Sequence, residues 1–252
     1  MDRRWTESAE GQPLQSRFHF LAHPGACGYL PEQTSRMEYE QFARISAEEY
    51  AARMLGGWRR FGRCLFRPRC SACDACRPIR VDVRRFSPNR SQRRTRARNE
   101  HDLTLTIASP RPSAESLDLY HRFHAFQETA KGWPSQDDND AASFAESFLD
   151  NPFPTEEWRY TLDGRLVGLG FVDHLPPVGL SAIYFVHDPD ERARSLGTWN
   201  VLRLIEETAN RGLPHLYLGY YIADCRSMAY KSAFEPNETR SPDGLWRPFA
   251  GE

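Results

Sequence analysis

The sequence predicts an α/β (α+β) protein in two parts: a basic, cysteine-containing N-terminal domain over 1–108, then a domain with a mixed central sheet over 109–252. Three observations carry this reading. Five of the six cysteines, and a run of 15 arginines from Arg53 to Arg98, precede the break Ser109-Pro110-Arg111-Pro112-Ser113. Beyond that break, strand and helix patterns alternate. Finally, 252 residues with 40% apolar and 12% aromatic content suffice for a packed core, which excludes a disordered chain or a disulfide-stapled miniprotein.

The elements follow in order. Met1 to Ser16 is polar and expected to fray. Ala47–Trp58 reads as a helix stopped by Gly56-Gly57. Ile79–Val83 and Leu103–Ile107 alternate as half-buried strands. Ala114–Thr129 and Ala141–Leu149 read as helices around Gly132-Trp133-Pro134. Trp158–Leu162 and Leu166–Val172 flank Asp163-Gly164, a strong hairpin turn. Leu180–Val186 is a third strand, Ser195–Asn210 a helix with Trp199, Leu202 and Ile205 on one face, His215–Leu218 a strand, and Asp224–Ala233 a last short helix. That ββ-β-α-β-α order fits the GNAT acyltransferase fold. No apolar stretch approaches the ~18–20 residues of a membrane span, and the opening lacks a hydrophobic signal core. A cytoplasmic protein without a membrane partner is expected.

The formal net charge of −1 conceals a basic block. Arg53–Arg98 contains only Asp74 and Asp82 against its arginines and carries +13, leaving −14 elsewhere. Such a patch attracts a polyanion and releases counterions on binding; the alternative is a face paired with the acidic remainder. Cys70, Cys73 and Cys76 form a C-x2-C-x2-C run. Two-residue gaps let thiolates converge on one ion, with a fourth ligand from elsewhere: Cys27, beside Gly28, or Cys64. Zinc and an iron–sulfur cluster both suit four thiolates.

Motifs across Ala26–Glu235 resemble the aminoacyl-tRNA–protein transferases, especially the bacterial aspartate/glutamate leucyltransferase branch related to arginyltransferases. In the first half they are Cys27-Gly28-Tyr29-Leu30-Pro31, Gly57-Trp58-Arg59-Arg60-Phe61-Gly62, Phe66-Arg67-Pro68-Arg69-Cys70, and Phe86-Ser87-Pro88-Asn89-Arg90. In the second half they are Leu180-Ser181-Ala182-Ile183-Tyr184, Arg194-Ser195-Leu196-Gly197-Thr198, Leu216-Tyr217-Leu218-Gly219-Tyr220, and Cys225 with Met228 and Lys231. The resemblance implies transfer of leucine, or alternatively arginine, from charged tRNA to the α-amine of proteins beginning with Asp or Glu, marking them for degradation. It also favours Cys27, with Cys70, Cys73 and Cys76, as the metal set and leaves Cys64 out. One departure stands at Phe126–Pro134, where the bacterial pattern has an Arg-His pair and an Asp-Gly turn; donor or acceptor choice, or activity itself, is expected to change if that loop touches substrate.

Aminolysis of an aminoacyl ester needs a deprotonated amine and a stabilised oxyanion, but no protein nucleophile. Asp173, Tyr184 and Tyr220 are the candidates to face a cleft between splayed strands and relay the proton. Arg59, Arg60, Arg90, Arg93 and Arg94 are candidates for phosphate or carboxylate binding, and Lys231 for the tRNA 3′ end. Ser195 and Gly197 open a helix whose N–H groups favour an anion, unless Ser195 is simply an N-cap. Acyl-CoA enzymes carry a small residue where Trp199 stands, so no CoA is expected. A CoA-dependent N-acetyltransferase with a metal-binding domain and a non-catalytic RNA-binding relative are the competing readings.

Overall fold

Strand alternation and helix capping build the N-terminal part. In the computed structural model, which describes residues 15–133 and 141–249, the chain opens with β1 (Gln15–Leu21), β2 (Gly25–Ala26), β3 (Thr34–Ser35) and β4 (Met37–Arg44). Helix α1 (Ala47–Leu55), β5 (Arg59–Phe61) and β6 (Cys64–Pro68) follow. An antiparallel four-stranded sheet runs β1-β4-β6-β5. The Ser46 hydroxyl accepts from the Glu49 N–H while the Glu49 carboxylate takes the Ser46 N–H, fixing where α1 starts. The helix ends at Leu55 rather than Trp58, because Gly56 caps it and Gly57 turns the chain at φ +91°. Most of the polar opening, and Pro134 in the divergent loop, lie outside the described residues; Gln15 and Ser16 already belong to β1.

The large sheet takes β7 (Arg77–Asp82), β8 (Leu103–Ala108), β9 (Thr155–Leu162), β10 (Arg165–Leu175), β11 (Gly179–His187), β12 (His215–Tyr221), β13 (Asn237–Arg240) and β14 (Trp246–Pro248). Its order is β14-β13-β7-β12-β11-β10-β9-β8. Only β11 and β12 run parallel, so a crossover must join them. Helix α5 (Leu196–Asn210) is that crossover. Helices α2 (Arg90–Asn99), α3 (Ala114–Lys131), α4 (Ala141–Phe148) and α6 (Arg226–Ala229) complete the chain.

This topology corrects the boundary at 108/109. β7 and β8 precede it, yet β7 pairs with β12 and β8 with β9 in the large sheet. Composition followed charge and cysteines, whereas sheet membership follows the strand edges left to pair: Ile79 and Val81 are fully buried there. The 109–113 break is a loop between β8 and α3. The expected helix over Asp224–Ala233 shortens to α6, followed by a 3-10 turn over Tyr230–Ala233.

Three apolar clusters hold the layers. Leu196, Trp199, Leu202 and Ile205 of α5 pack on Ile79, Val81, Leu180 and Leu216. Leu119 and Phe123 of α3 and Phe144 and Phe148 of α4 pack on Leu169 and Phe171 of β10. Phe42, Tyr50, Trp58 and Leu65 of the small-sheet region meet Phe153, Leu175 and Tyr217. At ~1.5–3 kcal/mol for each fully buried large side chain, this third cluster joins the two sheets firmly.

Candidate functional site

The site begins where two strands part. Pairing between β11 and β12 covers only Gly179–Ser181 against His215–Tyr217. Further along, β12 shifts register against β7 between Tyr217 and Tyr220, and Gly219 stands at φ +80°. Arg59 of β5 fills the gap. One guanidinium nitrogen donates to Ser181 Oγ at 2.8 Å and another to the Ala182 carbonyl. The group lies across Gly219, where a Cβ would sit 3.4 Å from Arg59 Nε. Among the described residues no carboxylate pairs with Arg59.

Lys231 lies close by and is buried. Its Nζ donates to the Tyr220 carbonyl at 2.6 Å and approaches Met228 Sδ at 3.0 Å. Burial, then the charge of Arg59, lowers its pKa to about 7.

Arg60 and Asp173 correct the expectation that both touch substrate. Their side chains are 1% and 0% exposed and bonded to one another. Arg60 Nε donates to Asp173 Oδ2 at 2.8 Å and a second Arg60 nitrogen to Oδ1. The Tyr50 hydroxyl donates to Oδ2 at 2.7 Å, and the Thr155 hydroxyl lies 2.7 Å from Oδ1. An aspartate so saturated by partners has neither solvent contact nor a lone pair to spare; the pair ties β5 to β10. Sequence reasoning missed Tyr50 and Thr155 because each pattern reads as core or strand.

Tyr184 is mostly enclosed and shares a hydrogen bond of 2.9 Å with His124 Nε2. Burial raises the tyrosine pKa and lowers that of His124, so the imidazole is neutral at neutral pH. His124 carried no motif, and only the fold of α3 against β11 brings it to Tyr184. The Tyr220 hydroxyl donates to the Gly57 carbonyl at 2.8 Å, and Tyr220 lines a large cavity.

That cavity holds about 930 Å³ and is bordered by all four expected cysteines, Cys27, Cys70, Cys73 and Cys76. Burial, then the nearby thiol charges of Cys27, Cys70, Cys73 and Cys225, push the Cys76 thiol up to about 12. An all-thiol donor set of this kind suits zinc or an iron–sulfur cluster. Among the described residues no three His, Cys, Asp or Glu side chains converge to metal-binding distance. Cys225, set before α6, adds a fifth thiol to this neighbourhood.

The basic block divides in two. Arg53 pairs with Glu40, Arg67 and Arg69 with Glu38, Arg80 with Glu238, and Arg63 with Asp150; these arginines serve the fold. By contrast, Arg90, Arg93 and Arg94 on α2 are exposed, and among the described residues the Arg93 side chain bonds the Pro88 carbonyl and no carboxylate. Positions 90, 94 and 98 share one ridge at helical spacing. Ser195 sits exposed before α5 at φ +57°, with no side-chain cap hydrogen bond, so the simple N-cap alternative does not hold. A Cβ on Gly197 would meet nothing within 4 Å.

The fold thus brings together a strand gap holding a guanidinium without a carboxylate partner among the described residues, a cysteine-bordered cavity and an exposed arginine ridge. Comparison supplies the family. The models "Arginine-tRNA-protein transferase, N terminus" and "C terminus" match residues 25–94 and 115–241. An aspartate/glutamate leucyltransferase from Marinobacter nauticus is 39% identical over 242 residues, 94% of this chain and 98% of the relative. One from Chromobacterium violaceum is 36% identical over 227 residues, 90% and 91% of the two chains. FemX, a solved structure, aligns at 7% identity and a TM-score of 0.45 over 81% of this chain and 79% of its own. The chain therefore belongs to the arginine-tRNA-protein transferase family, and is an aminoacyltransferase.

Proposed function

We propose that the protein moves leucine from leucyl-tRNA to the N-terminal amine of proteins beginning with Asp or Glu, marking them for degradation in the cytoplasm. The observation that carries this is the match to aspartate/glutamate leucyltransferases at 39% identity over 94% of the chain. The cavity favours leucine over arginine as donor. Leu21, Leu30, Met37, Tyr39, Phe61 and Phe66 line it, and its charged lining is Arg67, Arg69, Arg77 and Arg240 against Asp74 alone. An apolar side chain gains by entering such a space; an arginine side chain would add a further positive charge to a lining that already carries four guanidinium groups.

In the reaction the acceptor nitrogen attacks the ester carbonyl, a C–N bond forms, and the C–O bond to the terminal ribose breaks. The amine loses a proton and the ribose oxygen gains one. We place this at the β11–β12 gap, where a GNAT-like reading of the sheet puts the reacting groups. Arg90, Arg93 and Arg94 supply a phosphate-binding face for the tRNA. Buried Lys231, with its pKa lowered to about 7 and so about half neutral at pH 7, stands beside the gap as a group able to hold the acceptor proton. Tyr184 belongs to β11, one of the two strands of the gap, and its hydrogen bond to His124 orients its hydroxyl.

A metal bound by Cys27, Cys70, Cys73 and Cys76 would cross-link β2, the loop before β7 and the cavity wall; its role here is structural, and no reaction step passes through it. Metal analysis of anaerobically purified protein, against Cys70→Ser and Cys73→Ser, is expected to find about one ion or cluster per chain, lost in both variants. Equal content in all three removes the assignment.

The function is tested by incubating the protein with leucyl-, arginyl- or phenylalanyl-tRNA and peptides starting with Asp, Glu, Asn or Ala, with acetyl-CoA as a further donor. Leucylation of the Asp and Glu peptides is the expected product. Acetylation, or RNA binding without transfer, supports the competing readings instead.

A further inference from the structure

Arg59 is distinguished from the arginines around it by what it lacks. Arg53, Arg60, Arg67 and Arg80 each have a carboxylate partner within the fold. Arg59 has none among the described residues, although it is half-buried and held firmly. Its hydrogen bonds to Ser181 Oγ and the Ala182 carbonyl engage two of the five guanidinium N–H donors, leaving three. A half-buried guanidinium with free donors and no counter-ion is a ready seat for an anion, which would complete the site. The fold also makes room for it: β11 and β12 separate just beyond Ser181 and Tyr217, and glycine at 219, with φ +80°, keeps the strand surface under the guanidinium bare.

We propose that Arg59, in the gap between β11 and β12, is the residue that reads the side-chain carboxylate of the acceptor's first residue. This rests on the reading of the chain as an Asp/Glu aminoacyltransferase. An N-terminal aspartate or glutamate carries its amine a few bonds from its carboxylate, so a carboxylate seated on Arg59 delivers the amine into the strand gap beside Lys231. The bidentate geometry of a guanidinium matches a carboxylate, while an amide offers one acceptor and a clashing NH2. Arg59 thereby acts on the choice of acceptor and leaves the donor end of the reaction to other residues.

The test is the ratio of kcat/KM for an Asp-starting peptide to that for its Asn twin, measured with leucyl-tRNA in wild type, Arg59→Gln, Arg59→Lys and Arg240→Gln. Arg240 is the control, since it lines the neighbouring cavity. Wild type should favour Asp by at least tens of fold. Arg59→Gln should bring the ratio within about threefold by slowing the Asp peptide, with leucyl-tRNA affinity unchanged, and Arg59→Lys should fall between. A second measurement needs no variant: phenylglyoxal labelling of wild type, mapped by mass spectrometry, should show Arg59 protected by Asp and Glu peptides but not by Asn or Gln ones. An unchanged ratio in Arg59→Gln, a collapse in Arg240→Gln instead, or equal protection by Asp and Asn peptides overturns the proposal. A wild type that leucylates neither acidic peptide overturns the underlying function.

Discussion

Removing Asp173 is the sharpest test of how the two sheets are joined. The Asp173→Ala change deletes the acceptor for Arg60 Nε at 2.8 Å, for a second Arg60 nitrogen, and for the Tyr50 hydroxyl at 2.7 Å. The Arg60 guanidinium is left 1% exposed without an anion, retaining the Gly62 carbonyl at 3.2 Å and the Thr155 hydroxyl at 2.6 Å. Breaking a buried ion pair from one side destabilises by ~3–5 kcal/mol, because the surviving charge stays desolvated. Removing both charges is far milder. Asp173→Leu with Arg60→Met leaves only the Tyr50 hydroxyl short of an acceptor, at ~1 kcal/mol, because the Thr155 hydroxyl keeps Asn151 Oδ1 at 2.8 Å. Urea unfolding followed by tryptophan fluorescence measures both variants. The single substitution should lose about 4 kcal/mol and the double about 1 kcal/mol. A single-variant loss below about 1 kcal/mol, or a double variant no better than the single, refutes the argument.

Three further outcomes are expected. Arg90→Ala with Arg94→Ala should weaken tRNA binding and reduce the log–log salt slope by about 1–2, read by anisotropy across a salt series; an unchanged slope removes α2 from the tRNA face. Lys231 is lowered from 10.5 to about 7, so between those values the unfolded chain holds a proton the folded one lacks, and stability rises with pH. From pH 7 to 9.5 wild type should gain about 3 kcal/mol relative to Lys231→Met in urea unfolding; parallel curves contradict the burial of a neutral amine. Gly219→Ala forces a side chain into φ +80° against Arg59, and should lower stability by about 1–2 kcal/mol and reduce transfer to Asp peptides; a silent substitution argues that the bare strand surface is unnecessary.

The second half was largely legible because its signals are local. The Asp163-Gly164 turn sets the β9–β10 hairpin, and the apolar face of α5 declares itself through Trp199, Leu202 and Ile205. Helix α2 was not legible, since its buried face is polar. Gln92 donates to the Ala233 carbonyl at 2.9 Å and Asn99 to the Arg194 carbonyl at 2.9 Å, so no hydrophobic period marks it. Only the Asn89/Gln92 capping box gave a hint of its start. The placement of β7 among later strands was likewise unreadable, because pairing partners distant in sequence leave no local trace.

Neighbouring arginines show why residue type alone misassigned part of the site. Arg59 and Arg60 adjoin in a three-residue strand and carry the same charge. Their targets adjoin too: Asp173 of β10 is the cross-strand partner of Ser181 of β11. Arg60 grips Asp173 and Arg59 grips Ser181, so two successive side chains of β5 seize one rung of the large sheet. The buried ion pair fixes the position of β5 to within side-chain reach of the strand gap, and that fixed position is what lets Arg59 stay in the gap without a counter-ion of its own. Asp173 thus holds the strand that carries Arg59, the residue we propose reads the acceptor. A carboxylate and an arginine that look catalytic in the sequence form the anchor, and the adjoining Arg59 is the one left without a carboxylate partner among the described residues.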